Sequence, residues 1–191
     1  MRRGRGWAVV TVLSMLALAG CTGSSEDPPT TPSPTSPAAS PSETPSPTPT
    51  PDAATPPERP DMSQVDAATA EAIARYFLEL YPYVYATGDL TEWKALSHPE
   101  CIFCASVITN VEEMVAAGEH WEGGLTTIDS TEVAAELAEA FNVTATTTES
   151  RSHRVDRDGT TLQSSIGGSS TMHLVLTTDA GQWLVRGVEV D

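Results

Sequence analysis

Apolar side chains recur at helical spacing over residues 69–88, where Ile73, Phe77, Leu80, Tyr81 and Val84 stand at offsets of 0, 4, 7, 8 and 11. The stripe predicts an amphipathic helix closed by Gly88. Pro82 falls inside it, removes one intrahelical donor and crowds the preceding turn, so a kink or a break into two segments is expected there. Residues 90–96, with Trp93, read as one or two further turns packed across the first helix. Ser97 and Glu100 then have the spacing of a capping box, with Pro99 tolerated in a first turn. Cys101, Cys104, Ala105, Ile108, Val111 and Val115 follow at offsets of 0, 3, 4, 7, 10 and 14, which puts both cysteines on the face expected to be buried. Gly118 is the expected stop, and Gly123-Gly124 a following loop.

Beyond residue 125 the chain shifts toward Thr, Val and Ser. Residues 126–137 carry two signals: Val133, Leu137 and Phe141 have helical spacing, while the run from Thr126 to Thr131 favours strand. Strand is the expectation. Residues 142–155 are rich in β-branched side chains and free of proline, which predicts one long strand, and Asp158-Gly159 is a strong short hairpin signal. Residues 160–166 would return, and Gly167-Gly168 would bend. Residues 171–178 and 182–190 form a second hairpin around Asp179-Ala180-Gly181, with Met172, Leu174 and Leu176 alternating against His173, Val175 and Thr177. Helices followed by antiparallel strands make an α+β layout.

Composition divides the chain further. Of the 15 prolines among 191 residues, 13 lie between Pro28 and Pro60, so the packed core must come from residues 61–191, one domain by size. Residues 21–60 are mostly Pro, Ser, Thr and Ala, bury too little apolar surface to offset chain entropy, and read as a disordered, extended linker. At about 3.1 Å per residue, 36 such residues reach at most roughly 110 Å. Before it, Arg2, Arg3 and Arg5 precede a mostly apolar stretch over residues 7–18, too short to span a hydrocarbon core of roughly 30 Å. Leu18-Ala19-Gly20-Cys21 resembles the bacterial lipobox. The resemblance implies a signal peptide over residues 1–20, cleavage before Cys21, acylation of that residue with palmitate-type chains, and residence on the extracytoplasmic face of the cell membrane.

Charge narrows the partners. With 26 acidic against 10 basic side chains the net charge is −16, and only six basic residues follow residue 60, so no nucleic-acid partner is expected. The Cys101–Cys104 spacing admits a local disulfide, thiol exchange chemistry, or a metal site completed by His98. An oxidising compartment and the lack of a preceding strand favour the disulfide, and a fourth zinc ligand is not evident. His98, His120, His153 and His173 are scattered, and no HExxH, GxSxG, GxxxxGK[ST] or GxGxxG motif occurs. Neither metal nor cofactor is expected.

With these elements in place the domain resembles the NTF2-like (cystatin-like) superfamily, in which a bent antiparallel sheet wraps around N-terminal helices to form a cone. More narrowly it is similar to uncharacterised actinobacterial lipoproteins that share a lipobox, a Pro/Thr spacer, an Arg-Pro pair such as Arg59-Pro60, the Cys-x-x-Cys of residues 101–104 and a Gly pair such as Gly123-Gly124. The superfamily resemblance implies a pocket at the cone's mouth, for which Tyr81, Tyr85, Trp93, Trp121 and His173 are the candidate lining residues, with Asp89 and His120 nearby in sequence. Two functional classes follow: a membrane-tethered, non-catalytic binding or accessory module receiving an envelope protein, glycan or small ligand, and a small-pocket enzyme of the isomerase or dehydratase type. No catalytic residue declares itself, and the first class is the expectation.

Overall fold

The computed structural model describes residues 52–137 and 140–191; the expected signal segment, Cys21 and the expected linker up to residue 51 lie outside them. Three helices come first. Helix α1 spans Ala67–Thr87, with Asp66 as N-cap accepting from the Thr69 amide at 2.8 Å. Gly88 ends it in the left-handed region at φ 75°, its N–H donating to the Val84 carbonyl. The helix runs through Pro82 without the expected break. Ile73, Phe77, Leu80 and Val84 are all buried on either side of the proline, so packing holds both halves in one element against the lost donor.

Helix α2 is Thr91–Leu96 and α3 is Ile102–Ala117. The start of α3 corrects the capping-box expectation. Its N-cap is Cys101, whose Sγ accepts from the Cys104 amide at 3.1 Å. Ser97 instead donates to the Trp93 carbonyl and bridges Val185, while Glu100 pairs with Arg186 at 2.7 Å. The buried stripe of α3 is Cys104, Val107, Val111 and Met114, so Ala105 and Val115, expected inside, face solvent.

Seven strands follow: β1 (His120–Gly123), β2 (Thr126–Leu137), β3 (Ala140–Glu149), β4 (Ser152–Val155), β5 (Thr161–Ser165), β6 (Gly168–Asp179) and β7 (Gln182–Val190). All pairings between them are antiparallel, in a four-stranded sheet ordered β2-β3-β6-β7 and a three-stranded sheet ordered β1-β4-β5. The expected α+β class is therefore present, helices packed on antiparallel sheet.

Two strand expectations change. Residues 120–123, running into the glycine pair expected as a loop, form β1, and the long strand expected over residues 142–155 divides into β3 and β4. The division has a local cause. Phe141, Val143, Ala145 and Thr147 point inward with strict alternation, but the next buried position is Ser152, which breaks the period of two. Between them the Ser150 amide donates to the Leu125 carbonyl and the Arg151 carbonyl accepts from Gly124, so the chain turns from one sheet into the other. Register shifts in β2 and between β6 and β7 mark bulges, the usual source of local bending.

The core lies between α1 and the four-stranded sheet. Trp93 stacks on Phe77 with ring centroids 4.0 Å apart and donates its indole N–H to the Cys104 carbonyl. Trp183, equally buried, donates to the Gln64 carbonyl. Residues 52–64 lie along the domain as a strap: Ala53 is buried, and Arg59 pairs with Glu92 at 3.0 Å.

Candidate functional site

Two cavities open where α1 crosses the junction of the sheets, and they share a wall. The inner one, of about 150 Å³, lies between Phe77 and Tyr81 of α1, Trp93 of α2, Phe103 of α3, and side chains of β3, β6 and β7 including Thr147, Met172 and Val188. The outer one, of about 300 Å³, is bounded by Tyr81, Pro82 and Tyr85 of α1, Trp121 of β1, Ser152 of β4, and Gln163 and Ser165 of β5. Tyr81 and Glu149 line both.

Each shared residue is placed by a feature already described. Tyr81 extends the α1 stripe by one position and reaches past the buried face, with Tyr85 one turn on at a ring-centroid distance of 5.0 Å. Glu149 is the last residue of β3, where inward alternation stops and the chain leaves the four-stranded sheet. Two glycines let the backbone close around it. Gly167 at φ 74° packs against the Glu149 carbonyl and the Ser150 backbone, and Gly123 at φ 76° leaves no room for a Cβ, which would lie 2.5 Å from the Arg151 oxygen.

The electrostatics follow from burial. Desolvation raises the Glu149 carboxyl above the ordinary carboxylate range, partly offset by the Ser152 hydroxyl. Burial, then the neighbouring Tyr85 and the charge of Glu149, hold the Tyr81 phenol well above its usual value. The remaining polar groups around the inner cavity are hydroxyls: Thr147 reaches the Ser170 carbonyl at 3.5 Å. Among the described residues, no Lys, Arg or His lines either cavity.

The structure brings together Tyr81, Tyr85, Trp93 and Trp121 of the five candidate lining residues. His173 is not with them. It belongs to a separate cleft on the other side of the four-stranded sheet, where Nδ1 lies 3.2 Å from the Thr144 hydroxyl and Nε2 3.2 Å from Asp191. Parity explains the correction, since Leu174 and Leu176 face the core and His173 must face away. Asp89 accepts from the Thr91 amide just before α2 and from the Tyr83 hydroxyl, and His120 lies 3.6 Å from Glu122. Cys101 and Cys104 stand at disulfide distance with Cα atoms 5.2 Å apart, both buried. Among the described residues no cluster of three metal-ligating side chains occurs. Glu149, Thr147 and Ser152 were not legible as site residues; the only signal was an acid ending a run of Thr.

The model of the family of unknown function DUF6318 matches residues 31–189. The chain belongs to that family. The match covers the strap and the domain as far as residue 189. No curated protein gives a significant match. Among solved structures, the intermembrane space region of the chloroplast protein ARC6 is similar at 16% identity and TM-score 0.51, over 66% of this chain and 97% of that one. An NTF2-like superfamily protein from Salmonella enterica aligns at 15% identity and TM-score 0.44, over 66% and 92%. ActVI-ORFA from Streptomyces coelicolor aligns at 18% and 0.41, over 66% and 97%. At these identities the likeness concerns the fold.

Proposed function

We propose that this DUF6318 protein is a lipid-anchored extracytoplasmic module that binds a small ligand at the mouth of its cone. One observation carries the reading: an inner cavity walled mostly by aromatic and aliphatic side chains and a more polar outer one edged by Tyr81, Tyr85 and Trp121 converge on a single carboxylate. Apolar concavities with few polar groups are the usual form of small-ligand sites. The inner cavity is small because the stacked Phe77 and Trp93 fill much of the cone, which fits retention of a ligand better than an enclosed reaction chamber. The lipobox ending at Cys21 supports the address, and no helix of the described residues is long and apolar enough to cross a membrane. On this reading, the strap and linker present the domain outside the cell, and the buried Cys101–Cys104 pair serves structure, being out of reach of exchange partners.

Native mass spectrometry of protein recovered from the envelope tests it. A small molecule should accompany the wild-type chain and be lost from Tyr81→Ala; an empty wild-type protein that gains no thermal stability from any member of a small-molecule panel opposes it. A second reading, an isomerase-type enzyme, is favoured by the raised carboxyl of Glu149 beside the raised phenol of Tyr81, a pairing suited to proton transfer. Conversion of the accompanying compound by wild type, abolished in Glu149→Gln, would decide for it.

A further inference from the structure

We propose that the ligand is an organic monocation, an ammonium group on a flat apolar body, with the ammonium beside Glu149 and the body in the inner cavity. The inference rests on the ligand-binding reading and adds the sign of the charge. Among the described residues, Glu149 is the one formally charged side chain lining either cavity, and it belongs to none of their ion pairs. A half-buried carboxylate without a counter-ion is unfavourable in the empty fold, and a bound cation offsets that cost.

The groups beside the carboxylate suit the same class of ligand. Tyr81, Tyr85 and Trp121 surround the outer cavity, and the ring quadrupoles of Tyr and Trp attract an ammonium presented to their faces. Tyr81 and Tyr85 are tilted by 57°, so the two rings present differently oriented surfaces to one space. The inner cavity continues from Glu149 into Phe77, Phe103, Met172 and Val188, which match a ring-sized apolar group. An inorganic divalent cation would need several oxygen ligands, and one carboxylate with scattered hydroxyls does not supply them. Approach is biased too: 21 acidic against six basic side chains over residues 61–191 draw cations toward the domain and repel anions.

Three probes of similar shape separate the alternatives: phenethylamine, protonated at pH 7.5; 2-phenylethanol, neutral; and 3-phenylpropionate, anionic. Calorimetric titration of the full acylated chain in detergent should show the amine binding at least about ten-fold more tightly than the alcohol, and the acid not at all. Glu149→Gln should bring the amine down to the affinity of the alcohol and leave the alcohol unchanged, while Tyr81→Leu should weaken both. Equal binding of amine and alcohol, preference for the acid, or an amine preference that survives Glu149→Gln overturns the assignment of charge while leaving the binding site standing. Failure of all three probes, together with an empty protein from the envelope, overturns both.

Discussion

Burial lifts the Glu149 carboxyl, so the folded chain holds a proton there more tightly than the unfolded chain does. Ionisation therefore costs stability at neutral pH, and the cost is lifted as pH falls through the raised folded value. Glu149→Gln is expected to raise the melting temperature at pH 7, with the gain fading on acidification toward the ordinary carboxylate range; the neighbouring Tyr81 phenol, held well above its usual value by burial, keeps its proton throughout. Thermal scans from pH 7 to pH 4 check this, and a destabilised variant at pH 7 would contradict it. Trp93, 1% exposed and stacked on Phe77, should lose about 3–5 kcal/mol on replacement by Ala, read by urea denaturation. At this scale the aromatic part of the site was legible, because Tyr81 and Tyr85 follow from helical period and tryptophans announce themselves by size. Glu149 was not, being one of 21 acids over residues 61–191 until the end of β3 carries it to the meeting of two sheets. His173 was misplaced although its own alternation with Leu174 and Leu176 already pointed it outward.

Elements show a similar division between local and non-local causes. Gly88 and Gly118 terminate their helices as the sequence suggested, and Asp156 builds the β4–β5 turn by accepting from the Asp158 and Thr160 amides, with Gly159 at φ 79°. These are contacts within a few residues. The shift of the α3 start from Ser97 to Cys101 is non-local, since residues 97–98 are drawn to Val185 of β7 by a bridge and by the His98 amide at 3.0 Å. Replacing both Cys101 and Cys104 by Ser should cost less than about 3 kcal/mol, because so short a closed loop restricts the unfolded chain little and Ser can still cap α3. Denaturant titration measures it, and complete unfolding would contradict it. Gly123→Ala, forced against the Arg151 carbonyl at positive φ, should destabilise by about 1–3 kcal/mol and weaken ligand binding at the adjoining cavity.

For the whole molecule, composition sets residues 21–60 apart from the chain that follows, whereas the split of that chain into two sheets depended on pairings that no local pattern records. Cys21→Ala is expected to shift the protein from the detergent phase to the aqueous phase in phase partitioning while leaving the domain's melting temperature unchanged; continued partitioning with detergent would count against the anchor. The strap adds something that neither spacer nor cone suggests alone. Trp121 borders the outer cavity, and it also borders a second cleft lined by Asp52, Ala53 and Ala54. A guest that pushes this indole aside presses on the start of the strap at residues 52–54, so a filled mouth and an empty one would grip that segment differently.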